Sequence, residues 1–398
     1  MSPEGLTPRQ HRLIRTQLVL IPAYVWLIHL WVLFWHQLPG ASHRDAHVLR
    51  DFLHFYTQGL IARLHDSHAL YDMEAMAAVA RTALPEAATQ MYPPVYGPQV
   101  ALLFLPFAHV SYVSGLYVWL ALTIAVTCWC VVATWRSCSE PRLSAWVVFV
   151  LLLGFPGLHF TLSFGQASIV GLLALTWLWL ALRDGRMVLA GVAVGLLAYK
   201  PQLGIVLAAV FVGRGEWRVV TGAVLSIVAQ GTAAAVYWGP PIFLGYANAL
   251  SRLPRLFSAM EPDAELAYSM RAVLTGFGLS SATAVALSAA ISLAAIVVAV
   301  RAWQPTVAIE RRYSGIVFVT LLIDPHLYAY DMLLAAPAML LAATSAWSQE
   351  RQLALWTLGA LWTAPIVAAT LSAPPAVMPA LLGLNAWLTL TLNRRTMV

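Results

Sequence analysis

The sequence predicts an all-α polytopic membrane protein, and three observations predict it. Of 398 residues, 60% are hydrophobic. Only 10% are charged, whereas a soluble domain carries roughly a quarter. The charges sit in short clusters between long apolar runs, and the mean hydropathy is +0.74. An ordinary soluble globule, a disordered chain and a disulfide scaffold are excluded. The three cysteines, Cys128, Cys130 and Cys138, form neither a CxxC pair nor a zinc spacing.

The runs follow in order. Residues 17–38 are apolar, follow Arg9, Arg12 and Arg15, and read as a retained first span rather than a cleaved leader. Further apolar runs cover 97–135, 143–162, 166–183, 187–199, 202–213, 217–238, 282–301, 313–323, 327–346, 353–371 and 375–392. A helix needs about 20 apolar residues to cross the hydrocarbon core. Several runs are shorter, so tilted or broken helices are expected. The count is about 12 transmembrane helices, with both termini cytoplasmic. The 39-residue run 97–135 crosses once with a re-entrant part, or crosses twice.

Arginine sets the orientation. With the N-terminus inside, the cytoplasmic side receives 15 arginines and 6 acidic residues, a net of +9. The other side has a net of −3. The overall +6 is therefore a topology signal, and it requires no nucleic-acid partner.

Two segments are not spans: a first outer loop, 39–96, and a second, 239–281, in a chain that otherwise reads as one integral-membrane domain over 1–398. In the first loop, 51–62 and 72–82 read as amphipathic helices lying at the interface. Asp72 reads as the N-cap of the second.

Chemistry-bearing residues collect at the outer ends of the runs. They are Asp51, Tyr56, Gln166, Lys200, Gln202, Asp324, His326, Tyr328, Tyr330 and Asp331, half of them beside Gly or Pro. Pro frees backbone groups that can line a cavity. Lys200 is the only lysine in the chain, and an ionisable group at membrane depth is a functional candidate by default. This set suits transfer of a sugar from a lipid phosphate. A carboxylate takes the acceptor proton. Lys200 and His326 face the departing phosphate. Gln166, Gln202, Tyr328 and Tyr330 meet ring hydroxyls.

The ordered motifs resemble glycosyltransferase family 87. They are Asp51-Phe52-x-x-Phe55-Tyr56-x-x-Gly59, Ala69-Leu70-Tyr71-Asp72, Tyr92-Pro93-Pro94, Gly165-Gln166, Lys200-Pro201-Gln202 and Pro325-His326-Leu327-Tyr328-x-Tyr330-Asp331. The resemblance runs from about residue 45 to 340, in the same order. The resemblance implies a GT-C fold and a polyprenyl-phosphate-mannose-dependent or related hexosyl- or pentosyltransferase of a bacterial inner membrane. It implies an extracytoplasmic active site, an inverting reaction, Asp51 as general base and His326 at the donor phosphate. The acceptor would be a lipid or glycan hydroxyl.

Alternatives stay open at this level. Asp45 rivals Asp51 as base. Lys200 doubles as a structural anchor, and Asp331 has equal structural and functional readings. Arg271, with Arg252 and Arg255, meets a lipid phosphate or only a headgroup. His43, His47, His65 and His68 have helix-like spacings, but no DxD or metal cluster stands out, and no cofactor or metal is inferred. The rival functions are a lipid or solute transporter, a flippase, or a ligase using a diphosphate-linked oligosaccharide.

Overall fold

The computed structural model describes residues 50–84, 92–138, 143–260, 267–348, 351–371 and 377–391, together with Ile28. It describes their side chains except those of 50, 253–260, 347–348 and 368–371. Most of the expected span 17–38 lies outside the described residues, as do Asp45, His43 and His47. The described regular structure is helical throughout, apart from one antiparallel β-bridge between Ala267 and Tyr328.

Helix α1, Arg50–Leu64, departs from the expected interfacial helix. Every side chain from Asp51 to Ala62 is buried, including His54, Thr57 and Gln58. The helix is enclosed by protein on all faces rather than laid on a surface. Gly59 permits this, because a Cβ there would stand 2.4 Å from the Phe104 carbonyl oxygen. Helix α2, Met73–Ala83, starts where Asp72 accepts a hydrogen bond from Ala75 N at 2.9 Å. It is amphipathic and buries Met76 and Ala80.

The long run 97–135 divides at Val110-Ser111. Helix α3, Pro98–Phe104, continues as a 3-10 turn to His109, and α4 then runs Tyr112–Ser137. The Ser111 side chain caps α4 by accepting from Ser114 N. The 26 residues of α4 are by themselves about 39 Å long, enough to cross. The preceding short helix is a separate piece packed on α1.

Helices α5, Ala145–Leu153, and α6, Pro156–Phe164, meet at a 42° bend. Pro156 supplies no N–H to continue the first helix. Helix α7 runs Ser168–Arg183. Helices α8, Met187–Leu196, and α9, Ile205–Gly213, are separated by two 3-10 turns around Lys200. Helix α10, Trp217–Trp238, packs on α8 through Gly191 and Gly222. A Cβ on Gly191 would be 1.9 Å from the Val219 carbonyl oxygen, the close backbone approach typical of small-residue contacts between membrane helices.

The second outer loop contains more helix than its prolines suggested. Helices α11, Ile242–Met260, and α12, Met270–Gly276, lie within it. Helices α13, Ser281–Ala302, and α14, Ile309–Leu322, follow. A 3-10 segment, Ala329–Ala335, leads into α15, Ala336–Ser348, before α16, Gln352–Leu371, and α17, Val377–Thr391. Helix α14 is the centre of the molecule: every residue from Tyr313 to Leu322 is buried.

Among the described residues, four segments are long and apolar enough to cross a bilayer: α4, α10, α13 and Ala329–Ala346. The bent pair α5–α6 is a fifth if it counts as one span. Six apolar helices are shorter. The chain is thus an all-helical integral membrane protein. The expected dozen crossings rested in part on runs whose helices end before about 20 residues, as at Arg183 and Tyr199.

Candidate active site

The candidate site lies where four chain segments meet: the start of α1, the α6–α7 turn, the Lys200 break and the Asp324–Asp331 corner. Asp51 sits in the first turn of α1 and is buried. Gln166 Nε2 donates to Asp51 Oδ2 at 3.0 Å, and Gln166 Oε1 accepts from Ala167 N at 2.8 Å. The amide is therefore oriented at both ends.

Gly165 makes this contact geometrically available. It ends α6 in the left-handed region, at φ +65°, where a side chain is strained. A Cβ there would lie 2.6 Å from Phe52 Cβ. The turn thus presses directly against the helix that bears Asp51. Trp119 Nε1 donates to the Gly165 carbonyl at 3.1 Å and locks the turn from the other side.

Lys200 occupies the gap between α8 and α9. Its Nζ donates to Asp331 Oδ2 at 2.7 Å and stands 3.4 Å from Asp324 Oδ2. All three groups are buried. Asp331 Oδ2 also accepts from Tyr328 N at 3.2 Å, and Asp324 Oδ1 accepts from His326 N at 2.9 Å. Lys200 therefore ties both ends of the corner 324–331. The Tyr330 ring lies 5.9 Å from Nζ and stacks on Tyr328 with centroids 5.5 Å apart. The His326 ring packs on Tyr328 at 4.7 Å. Tyr268 N donates to the Leu327 carbonyl at 2.7 Å, so the second outer loop clasps the same corner.

Tyr96 joins the two halves. Its phenol lies beside the Gln166 amide and feels the charges of Lys200, Asp51 and Asp331. Burial raises its pKa well above the usual phenol value, which keeps it neutral. The sequence reading singled out Tyr92-Pro93-Pro94 and passed over Tyr96. The available signal was its place between that Pro pair and Gly97-Pro98, which fixes the chain on entry to α3. Gln99 Nε2 pins the same entry to the Ala198 carbonyl at 3.2 Å.

The remaining candidates are placed less centrally. The Tyr56 hydroxyl donates to the Val110 carbonyl at 2.7 Å, and its ring packs on Phe52 and Tyr112. It braces α1 against the start of α4 rather than entering the cluster. Gln202 is half-buried in the 3-10 turn after Lys200. Arg271 lines a cavity on the far face of Asp324. His65 stacks on Tyr237 at 4.4 Å. Among the described residues, no three His, Cys, Asp or Glu side chains converge as a metal-binding group.

The model of glycosyltransferase family 87 matches residues 95–325, more than half of the chain. The chain belongs to glycosyltransferase family 87. It is accordingly a membrane glycosyltransferase, using a sugar donor and an acceptor. No curated protein and no solved structure matches it. The family match contains Tyr96, Gln166, Lys200, Arg271 and Asp324. It stops one residue short of His326 and begins after Asp51. The contacts of Asp51 with Gln166, and of Asp331 with Lys200, link residues outside that stretch to residues inside it.

Proposed function

We propose that this family 87 enzyme moves a hexose or pentose, mannose foremost, from a polyprenyl-phosphate donor to a lipid or glycan hydroxyl. The reaction takes place on the extracytoplasmic face of a bacterial cytoplasmic membrane. The observation that carries this reading is the buried Asp51 carboxylate, oriented by Gln166 and sharing Tyr96 with the Lys200–Asp331 pair.

In this reading the acceptor hydroxyl docks at Asp51. The carboxylate takes its proton as the oxygen attacks the anomeric carbon. The bond from that carbon to the phosphate oxygen breaks on the opposite face, so the configuration inverts. The bonding electrons leave with the polyprenyl phosphate. His326 and Arg271 meet the phosphate, and Lys200 keeps one ammonium hydrogen on Asp331 while offering others toward the substrate. Tyr328 and Tyr330 form a stacked wall for the sugar ring. Gln202 is a ring-hydroxyl contact at the edge. Burial of the cluster excludes water that would otherwise compete as acceptor.

Incubation of enzyme-containing membranes with a panel of labelled polyprenyl-phosphate sugars tests this. Label should move to an extractable lipid or glycan from one of these donors. Transfer from nucleotide sugars alone, with every polyprenyl-phosphate sugar inert, would exclude the proposed donor class.

A further inference from the structure

Tyr71 of the Ala69-Leu70-Tyr71-Asp72 motif stands between the second outer loop and the candidate site. Its hydroxyl donates to the Tyr96 carbonyl at 3.2 Å, and its ring lies 5.6 Å from that of Tyr246 on α11. Gly245 permits this approach, since a Cβ there would stand 3.1 Å from the Tyr71 ring. Tyr96 precedes the N-cap of α3, so its carbonyl lies outside that helix's hydrogen-bond ladder. Its side chain lies beside Gln166, which orients Asp51. A continuous run of contacts thus leads from α11 through Tyr71 and Tyr96 to Asp51.

Helix α11 carries three stripes. Ile242, Gly245, Tyr246 and Ala249, at i, i+3, i+4 and i+7, face the protein, and Ile242 is buried in the cluster of Ile61, Leu70 and Met76. Phe243, Ala247 and Leu250, at i, i+4 and i+7, form a second stripe with Leu244 at its edge. All four are exposed, Leu244 by 70%. Asn248, Ser251 and Arg252 make an exposed polar third. A helix lying wholly in water shows polar side chains on every face turned from the protein. Helix α2 does so: it exposes Glu74, Arg81 and Thr82 and no large apolar side chain. Helix α11 differs because of where it starts. Only residues 239–241 separate it from Trp238, the end of the spanning helix α10, which is about 14 Å of chain at most. An apolar stripe set between a protein-facing stripe and a polar one suits a helix lying in the bilayer surface beside the protein.

We propose that α11 docks on the phospholipid surface and that Tyr71 carries this docking to the candidate active site. Phe243, Ala247 and Leu250 enter the boundary between headgroups and acyl chains, and Arg252 stays among the headgroup phosphates. Docked in this way, α11 keeps Gly245 and Tyr246 pressed on the Tyr71 ring, and the Tyr71 hydroxyl stays on the Tyr96 carbonyl. Tyr71 is a positioning residue: it acts through Tyr96 on the amide that aims Asp51.

The test uses the full-length protein in nanodiscs of phosphatidylglycerol and phosphatidylcholine. Cys128→Ala removes the one cysteine that is not buried, and Leu250→Cys or Asn248→Cys then carries a fluorophore. The label at 250 should be quenched by doxyl lipids and shielded from aqueous iodide, and the label at 248 should show the reverse. Equal iodide quenching at the two positions overturns the docking. If Leu250→Cys fails to fold, Phe243→Cys takes its place. Amide hydrogen exchange over residues 92–99 reads the coupling. Tyr71→Phe and Leu250→Glu, which sets a charge on the apolar stripe, should each speed it about fivefold, the net worth of one hydrogen bond. The double variant should go no faster than either, because both break the same link. Asn248→Glu should leave exchange unchanged. Effects that multiply in the double variant, or no effect of Leu250→Glu, overturn the link from α11 to the site. None of these readouts uses a sugar donor, so a failure here leaves the proposed donor class standing.

Discussion

Gln166 donates a 3.0 Å hydrogen bond to Asp51 across 115 residues of sequence. The contact exists because Gly165 turns left-handed against Phe52, and Tyr96 lies beside the same amide. If Asp51 is the base, Gln166 and Tyr96 aim it. Gln166→Ala and Tyr96→Phe should each lower kcat by about tenfold, with donor KM moving less than twofold. Such a split marks loss of a transition-state interaction rather than of uniform binding. An equal rise in KM with kcat intact would assign both residues to donor binding.

Gly165→Ala tests the turn itself. The new methyl would meet Phe52 Cβ at 2.6 Å on a backbone already at φ +65°. Strain of about 1–3 kcal/mol is expected, relieved by moving α1 away from Gln166. Activity should fall further than thermal stability. Near-wild-type turnover would show that the spacing of α1 and the turn is not critical.

Lys200 is one cation against two buried carboxylates, Asp331 and Asp324. Lys200→Met should therefore destabilise the protein by about 3–5 kcal/mol, because it leaves buried charge uncompensated. Adding Asp324→Asn and Asp331→Asn should recover most of that stability without recovering transfer. Melting in detergent and a transfer assay on the same preparations separate the two roles. Recovered transfer in the triple variant would reduce Lys200 to an anchor.

His54 lies one turn from Asp51 and is fully enclosed, with its ring against Phe55, Tyr92 and Tyr96. Burial lowers its pKa from 6.5 to about 4. The folded protein thus holds it neutral, while the unfolded chain takes up a proton below pH 6.5. Stability should be constant above that pH and fall as pH drops toward 4, by about 3 kcal/mol in all. His54→Gln should flatten this part of the melting-temperature profile between pH 7 and pH 4.5. An unchanged acid limb in the variant would show that other groups carry it.

Much of the site was legible because its residues stand where apolar runs stop beside Gly or Pro. Gln166 follows Gly165, Lys200 precedes Pro201, and His326 follows Pro325. Those breaks are local, and a sequence displays them. Partnerships were not legible. Nothing near Lys200 indicates that its ammonium will be held by carboxylates more than a hundred residues away. Helix α1 shows the same limit in its packing. Asp51, His54, Thr57 and Gln58 suggest a polar face in water, yet they are buried by α3, the 3-10 turn after it and the Tyr96 loop. Tyr96 escaped notice because a tyrosine in a Pro-rich entry has a sufficient packing explanation until the fold sets it beside Gln166.

The most direct measurement of the central claim compares Asp51→Asn with wild type in single-turnover transfer, alongside donor binding. Asparagine keeps the size of the side chain and an acceptor oxygen, but it takes up no proton. Transfer should fall by 10²–10⁴-fold, roughly the contribution of a general base, while donor affinity stays within about twofold. Turnover at the wild-type rate by a folded, donor-binding Asp51→Asn enzyme would contradict the assignment of Asp51 as the catalytic base.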